Sequence, residues 1–162
     1  MSRNSIANVC RLLGAALAVT AGAVSAQDCA TPLPIHFNQT GMTGDTCAAG
    51  NPLPTYGGTG SPQNEVVYSF VAFDANATVA IAATGGYAGT TAALFLLPAC
   101  TPATDPIQFG APGADMPING LTNGSTYFVI VTADPGGPNA GCGQYTLSAI
   151  GTPVSLQGFS ID

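Results

Sequence analysis

Few groups in this chain could do chemistry, and they are nearly all of one kind. One histidine, His36, stands beside eight carboxylates, two basic residues and five cysteines in 162 residues. A serine hydrolase needs a nucleophile, an imidazole base and an acid to orient the base. His36 is the sole imidazole, it follows Pro34 in a loop-like stretch, and the sequence has no Gly-x-Ser-x-Gly elbow. A thiol nucleophile must be a thiolate, and in an oxidising compartment Cys29, Cys47, Cys100 and Cys142 would be taken up as two disulfides. A glycosidase needs only two carboxyl groups at a set separation, so a small secreted hydrolase stays open as a third reading. Most of the aspartates, however, stand in turn sequences, where their ordinary work is to satisfy local backbone N–H groups.

The same carboxylates are hard oxygen ligands, which makes Ca²⁺ the one candidate cofactor. Asp45 with Glu65, or Asp115 with Asp134, would be the ligand pairs if the fold gathers them at one end. No EF-hand pattern fixes such a site. Zinc is disfavoured because no close Cys-x-x-Cys spacing occurs and a single histidine is available. For a glycan ligand, Tyr56 and Tyr87 are the candidate stacking faces, in a chain without tryptophan.

Charge excludes more than it suggests. Both basic residues, Arg3 and Arg11, lie in an N-terminal stretch that continues into an apolar run over 12–24 and ends in Val24-Ser25-Ala26. Basic start, apolar centre and small-residue end are the marks of a secretory signal, expected over 1–26. Its apolar run is too short to span a bilayer, which takes about 20 residues. After its removal no lysine or arginine is left, so the chain has no cations with which to neutralise nucleic-acid phosphates. Nor can it clamp an anionic substrate with arginine or form a lysine Schiff base. The expected location is outside the cytoplasm, secreted or periplasmic, with no membrane insertion once the signal is cut.

The elements that must position these groups read as strands. Residues 121–133 combine an Asn123-Gly124 turn with a run that is almost wholly β-branched or aromatic, which suits a pleated, half-buried surface. Tyr127 stands where a sandwich corner places a tyrosine whose hydroxyl ties the turn back to the backbone. Residues 65–73 alternate, with Val67, Ser69 and Val71 on one face and Val66, Tyr68, Phe70 and Ala72 on the other. Further strands are expected over 78–83, 91–97, 107–109, 116–119 and 144–150, with a short one at 35–38 and a last one or a tail at 154–161. Residues 27–63 carry Pro32, Pro34, Pro52 and Pro54 and read as a loop-rich N-terminal segment. The β-sandwich domain is expected over 64–162. Short strands separated by Gly, Pro and Asn turns indicate an all-β, antiparallel, jelly-roll-like sandwich.

Four cysteines allow three pairings. The expected one is Cys29–Cys47, pinning the irregular N-terminal segment, with Cys100–Cys142 tying strand ends together. In the chain-entropy picture these would contribute about 3 and about 4 kcal/mol.

Several of these segments together resemble a known family. Asn64-Glu65-Val66-Val67-Tyr68-Ser69-Phe70 is similar to the opening strand of bacterial pre-peptidase C-terminal domains. Thr91-Ala92-Ala93-Leu94-Phe95-Leu96, followed by Cys100, resembles their third strand. Residues 121–131 match their Leu-x-x-Gly-x-x-Tyr-x-Val-x-Val pattern, and Cys142-Gly143-Gln144-Tyr145-Thr146-Leu147 resembles their closing strand. The resemblance implies a jelly-roll-like sandwich, non-catalytic, serving secreted proteins in secretion, folding or polymer binding, with Ca²⁺ in some members. Gly89-Thr90-Thr91 stands where the family usually carries an aspartate, which weakens the case for a calcium site. The expected function is thus a secreted accessory, adhesion or protein-interaction module, whose partner is an extracellular protein or polysaccharide. A stand-alone glycan- or calcium-binding module is the alternative.

Overall fold

The computed structural model describes residues 28–60, 63–72, 76–85, 92–110, 115–133 and 141–151. The expected signal over 1–26 and the expected strand or tail over 154–161 lie outside the described residues.

Eleven strands are present among these residues: β1 (Leu33–Pro34), β2 (Gln39–Asp45), β3 (Thr55–Tyr56), β4 (Thr59–Gly60), β5 (Val66–Val71), β6 (Asn76–Gly85), β7 (Ala92–Leu97), β8 (Gln108–Gly110), β9 (Asp115–Asn119), β10 (Thr126–Ala133) and β11 (Gln144–Gly151). They form a five-stranded sheet ordered β1-β5-β10-β7-β8, a four-stranded sheet ordered β2-β11-β6-β9, and the small β3-β4 hairpin. The only helical element described is a 3₁₀ turn over Thr46–Ala48. The all-β expectation holds. The five-stranded sheet is mixed, however, because β1 runs parallel to β5 while the other described pairs are antiparallel.

The alternation read from the sequence places the core. Val66, Tyr68 and Phe70 of β5 face inward with Leu94 and Leu96 of β7 and Tyr127, Val129 and Val131 of β10. They meet Met116 and Ile118 of β9 and Tyr145, Leu147 and Ala149 of β11 from the other sheet. A fully buried Leu or Ile contributes about 1.5–3 kcal/mol relative to exposure, so this layer is the main stabilising mass. The opposite face of β5, β10 and β7 is not left to water. Val67, Ile130, Ala93, Phe95 and Leu97 form a second cluster with Leu53 and Tyr56 from the N-terminal segment.

That segment is therefore part of the sandwich. β1 extends one sheet, β2 pairs with β11 in the other, and residues 53–56 cover an outer face. The short strand expected at 35–38 is instead the link between β1 and β2. Two glycines and a largely exposed burial pattern hide β2 from a hydrophobic-periodicity reading, because an edge strand needs few apolar side chains.

The disulfide expectation is overturned. Cys29 is bonded to Cys100, with Cα atoms 5.5 Å apart, and Cys47 to Cys142, at 4.8 Å. Sheet pairing explains the second bond. Asp45 at the end of β2 lies opposite Gln144 at the start of β11, so the cysteines two residues beyond on each side are brought together. Cys29 and Cys100 both pack against the outer-face cluster, which places Cys29 at the exit of β7. Nearness in sequence misled the expected pairing. The loops actually closed span 71 and 95 residues. By the chain-entropy relation each would contribute about 4–5 kcal/mol, more than the expected pairing would.

Candidate functional site

The end of the sandwich where β2 ends and β11 begins holds a compact polar arrangement. Thr46 and Gly143 exchange hydrogen bonds: Thr46 N donates to Gly143 O at 3.0 Å, and Gly143 N donates to Thr46 Oγ1 at 3.0 Å. Cys47–Cys142 lies just beyond. Asp45 caps the 3₁₀ turn, its Oδ1 accepting from Cys47 N at 2.8 Å. Beside it, Thr43, Gly44, Asp45, Gln144 and Tyr145 line a shallow depression. Tyr145 forms its floor and is fully buried; its hydroxyl lies 2.8 Å from that of Tyr68. Gly44 is required there, since a Cβ at that position would overlap the Tyr145 ring. Burial raises the Tyr68 phenol above its ordinary value, and the Tyr145 hydroxyl partly offsets this.

Glu65 is the unexpected residue. It is fully buried immediately before β5, where its Oε2 accepts from Leu53 N at 3.0 Å and its Oε1 accepts from the Tyr56 hydroxyl. Its own N–H donates to Gly50 O at 2.8 Å. A buried carboxylate is tolerated only when its oxygens are well hydrogen-bonded. Here those bonds fasten the N-terminal segment onto the outer face of the five-stranded sheet. Tyr56 then stacks on Phe95 at 4.7 Å.

The other expected site residues are dispersed. Asp115 is exposed at the first position of the edge strand β9. Asp134 and Tyr87 lie outside the described residues. Among the described residues no three of His, Cys, Asp and Glu gather in a way that could hold a metal ion. Tyr56, expected as a glycan-stacking face, is 7% exposed, with its ring against Phe95 and its hydroxyl on Glu65, so it offers no open face. His36 is exposed. Asp28 accepts from Ala30 N, Thr31 N and the Thr31 hydroxyl, and the Thr31 backbone bond foremost holds its carboxyl below the usual value. Tyr127 forms the corner: its hydroxyl accepts from Thr122 N at 2.9 Å. The adjoining turn is held to β5 by Gly124 N donating to Ala72 O and Ala72 N donating to Ser125 O.

Sequence reasoning missed the structural use of Glu65. The available signal was its place at the head of the best-alternating strand, where a charged residue stands immediately before a run of core positions. Its acceptor role could not be read, because both donors come from a segment that looked like loop.

No family model matches the sequence, and no curated protein matches it either. Among solved structures the chain is similar to the pre-peptidase C-terminal domain of collagenase from Bacillus anthracis. The identity is 18% and the TM-score 0.46, over 73% of this chain and 93% of that one.

Proposed function

We infer that this chain is a non-catalytic β-sandwich module that works outside the cell as an accessory or interaction domain. One observation carries the reading: three of the five described carboxylates and all four described cysteines are engaged in holding the fold. Asp28 and Asp45 cap turns, Glu65 braces the N-terminal segment, and the four described cysteines are paired. A catalytic carboxylate or thiol must face substrate, whereas these face backbone donors or one another. Two disulfides support an oxidising compartment. The lack of lysine and arginine beyond residue 26 supports partners other than nucleic acid.

The test is co-sedimentation of the oxidised protein with insoluble polysaccharides and fibrous extracellular proteins. Saturable pelleting with at least one of them is expected. A protein that stays in the supernatant across the whole panel would contradict the interaction reading.

A further inference from the structure

Sheet edges offer unpaired backbone groups to any passing strand, and folded proteins blunt them with proline, charge or bulges. Among the described residues, three of the four edges of the two main sheets are blunted. β1 is two residues long and includes Pro34. β9 begins with Asp115 and carries Pro117 opposite Thr78. β2 pairs with β11 through a register shift, has Gly41 at φ +74° and ends in Asp45. The fourth edge, β8, is short at three residues but has neither proline nor charge over Gln108–Gly110.

Two of the four large apolar side chains exposed among the described residues stand at this edge, one in β8 and one just before it. Ile107 is 53% exposed and Phe109 48%, two residues apart and so on the same face. They continue an aromatic row inward, with Phe109 5.2 Å from Phe95 and Phe95 stacked on Tyr56. This row is rigid, because the Tyr56 hydroxyl is tied to buried Glu65. Acids flank the edge. Asp105 is exposed in the loop just before it, its carboxylate against Gly57 of the β3–β4 turn, and exposed Asp115 adjoins Met116, against which Gly110 packs. No lysine or arginine occurs among the described residues to neutralise them.

We propose that β8 is a docking edge for an extended segment of another protein, which adds as a strand, seats apolar side chains on Ile107 and Phe109, and carries cations at its flanks. Strand addition of this kind takes affinity from backbone hydrogen bonds and selectivity from alternate side chains. Charge selects against a second copy of this chain, which would bring acids to acids. This proposal rests on the interaction reading above and names the surface and partner class for it.

The probe is a short peptide of alternating valine and threonine with lysine at both ends, alongside its glutamate-ended twin. Binding is followed by fluorescence anisotropy and by amide hydrogen exchange at residues 107–110. Saturable binding of the lysine peptide with slowed exchange at β8 is expected, weaker by at least about tenfold for the twin. Phe109→Lys, at a half-exposed position, should abolish binding while leaving the melting temperature near that of the parent. Phe109→Ser provides the same loss without added charge. No binding up to about 1 mM, equal binding of both peptides, or undiminished binding by Phe109→Lys would overturn the proposal. So would a concentration-dependent dimer whose contact protects β8. Any of these can occur while pelleting with a polymer persists, so the two readings fail separately.

Discussion

Replacing Glu65 asks most sharply whether the polar groups of this protein serve its fold. The Glu65 carboxylate is fully buried and accepts from Leu53 N and the Tyr56 hydroxyl. In Glu65→Ala both donors lose this acceptor. An orphaned buried polar group costs about 1–3 kcal/mol, and the deleted side chain leaves a cavity besides, so the expected loss is about 3–6 kcal/mol. Glu65→Gln keeps one acceptor oxygen but turns an amide donor toward another donor, for an expected loss of about 1–3 kcal/mol. Tyr56→Phe removes one donor and should cost about 1–2 kcal/mol. Because Tyr56 and Glu65 share a bond, the double variant should lose less than the sum, with a coupling of about 1 kcal/mol or more. Urea unfolding of the oxidised protein measures all of these, provided the denaturant slope stays constant. The opposite sign is informative. Carboxylates retained for activity sit at a stability cost, and removing them tends to stabilise. A Glu65→Ala variant as stable as the parent, or more so, would refute the assignment of Glu65 as a brace.

Other expectations follow from the same structure. The Cys47→Ser, Cys142→Ser double variant should lose about 4–5 kcal/mol by urea unfolding, because it opens the longer of the two loops. Peptide mapping without reduction should join Cys29 to Cys100 and Cys47 to Cys142, and a Cys29–Cys47 peptide would contradict the strand pairing. Thr132 is fully buried and its hydroxyl has no hydrogen-bond partner among the described residues, so Thr132→Val should raise stability by about 1 kcal/mol. A drop there would show that the hydroxyl is satisfied in solution. Tyr68 keeps its proton to higher pH when folded than when unfolded, where it ionises near pH 10. The unfolded state then binds fewer protons, so stability should be level below about pH 10 and fall above it. Tyr68→Phe should make that fall shallower in unfolding curves taken at successive pH values.

Strands built on dense alternation were legible in the sequence. β10 and β5 follow the residues that a pleated, half-buried surface favours, and the inward and outward faces of β5 came out as read. The Tyr127 corner was legible too, because its parts lie within a few residues of one another. What stayed hidden depends on partners distant in the chain. β2 has the composition of a loop and becomes a strand only because β11 lies beside it. The disulfides join residues 71 and 95 apart, which spacing alone cannot rank. Tyr56 looked like an open aromatic face, and it is covered because the N-terminal segment folds down over Phe95.

Turnover tests the proposed non-catalytic role of this module most directly. The oxidised protein, assayed against ester, peptide and glycoside substrates alongside Asp45→Asn and Glu65→Gln, should release product no faster than buffer. Saturable turnover by the parent that disappears in a variant still folded by its thermal melt would contradict the account.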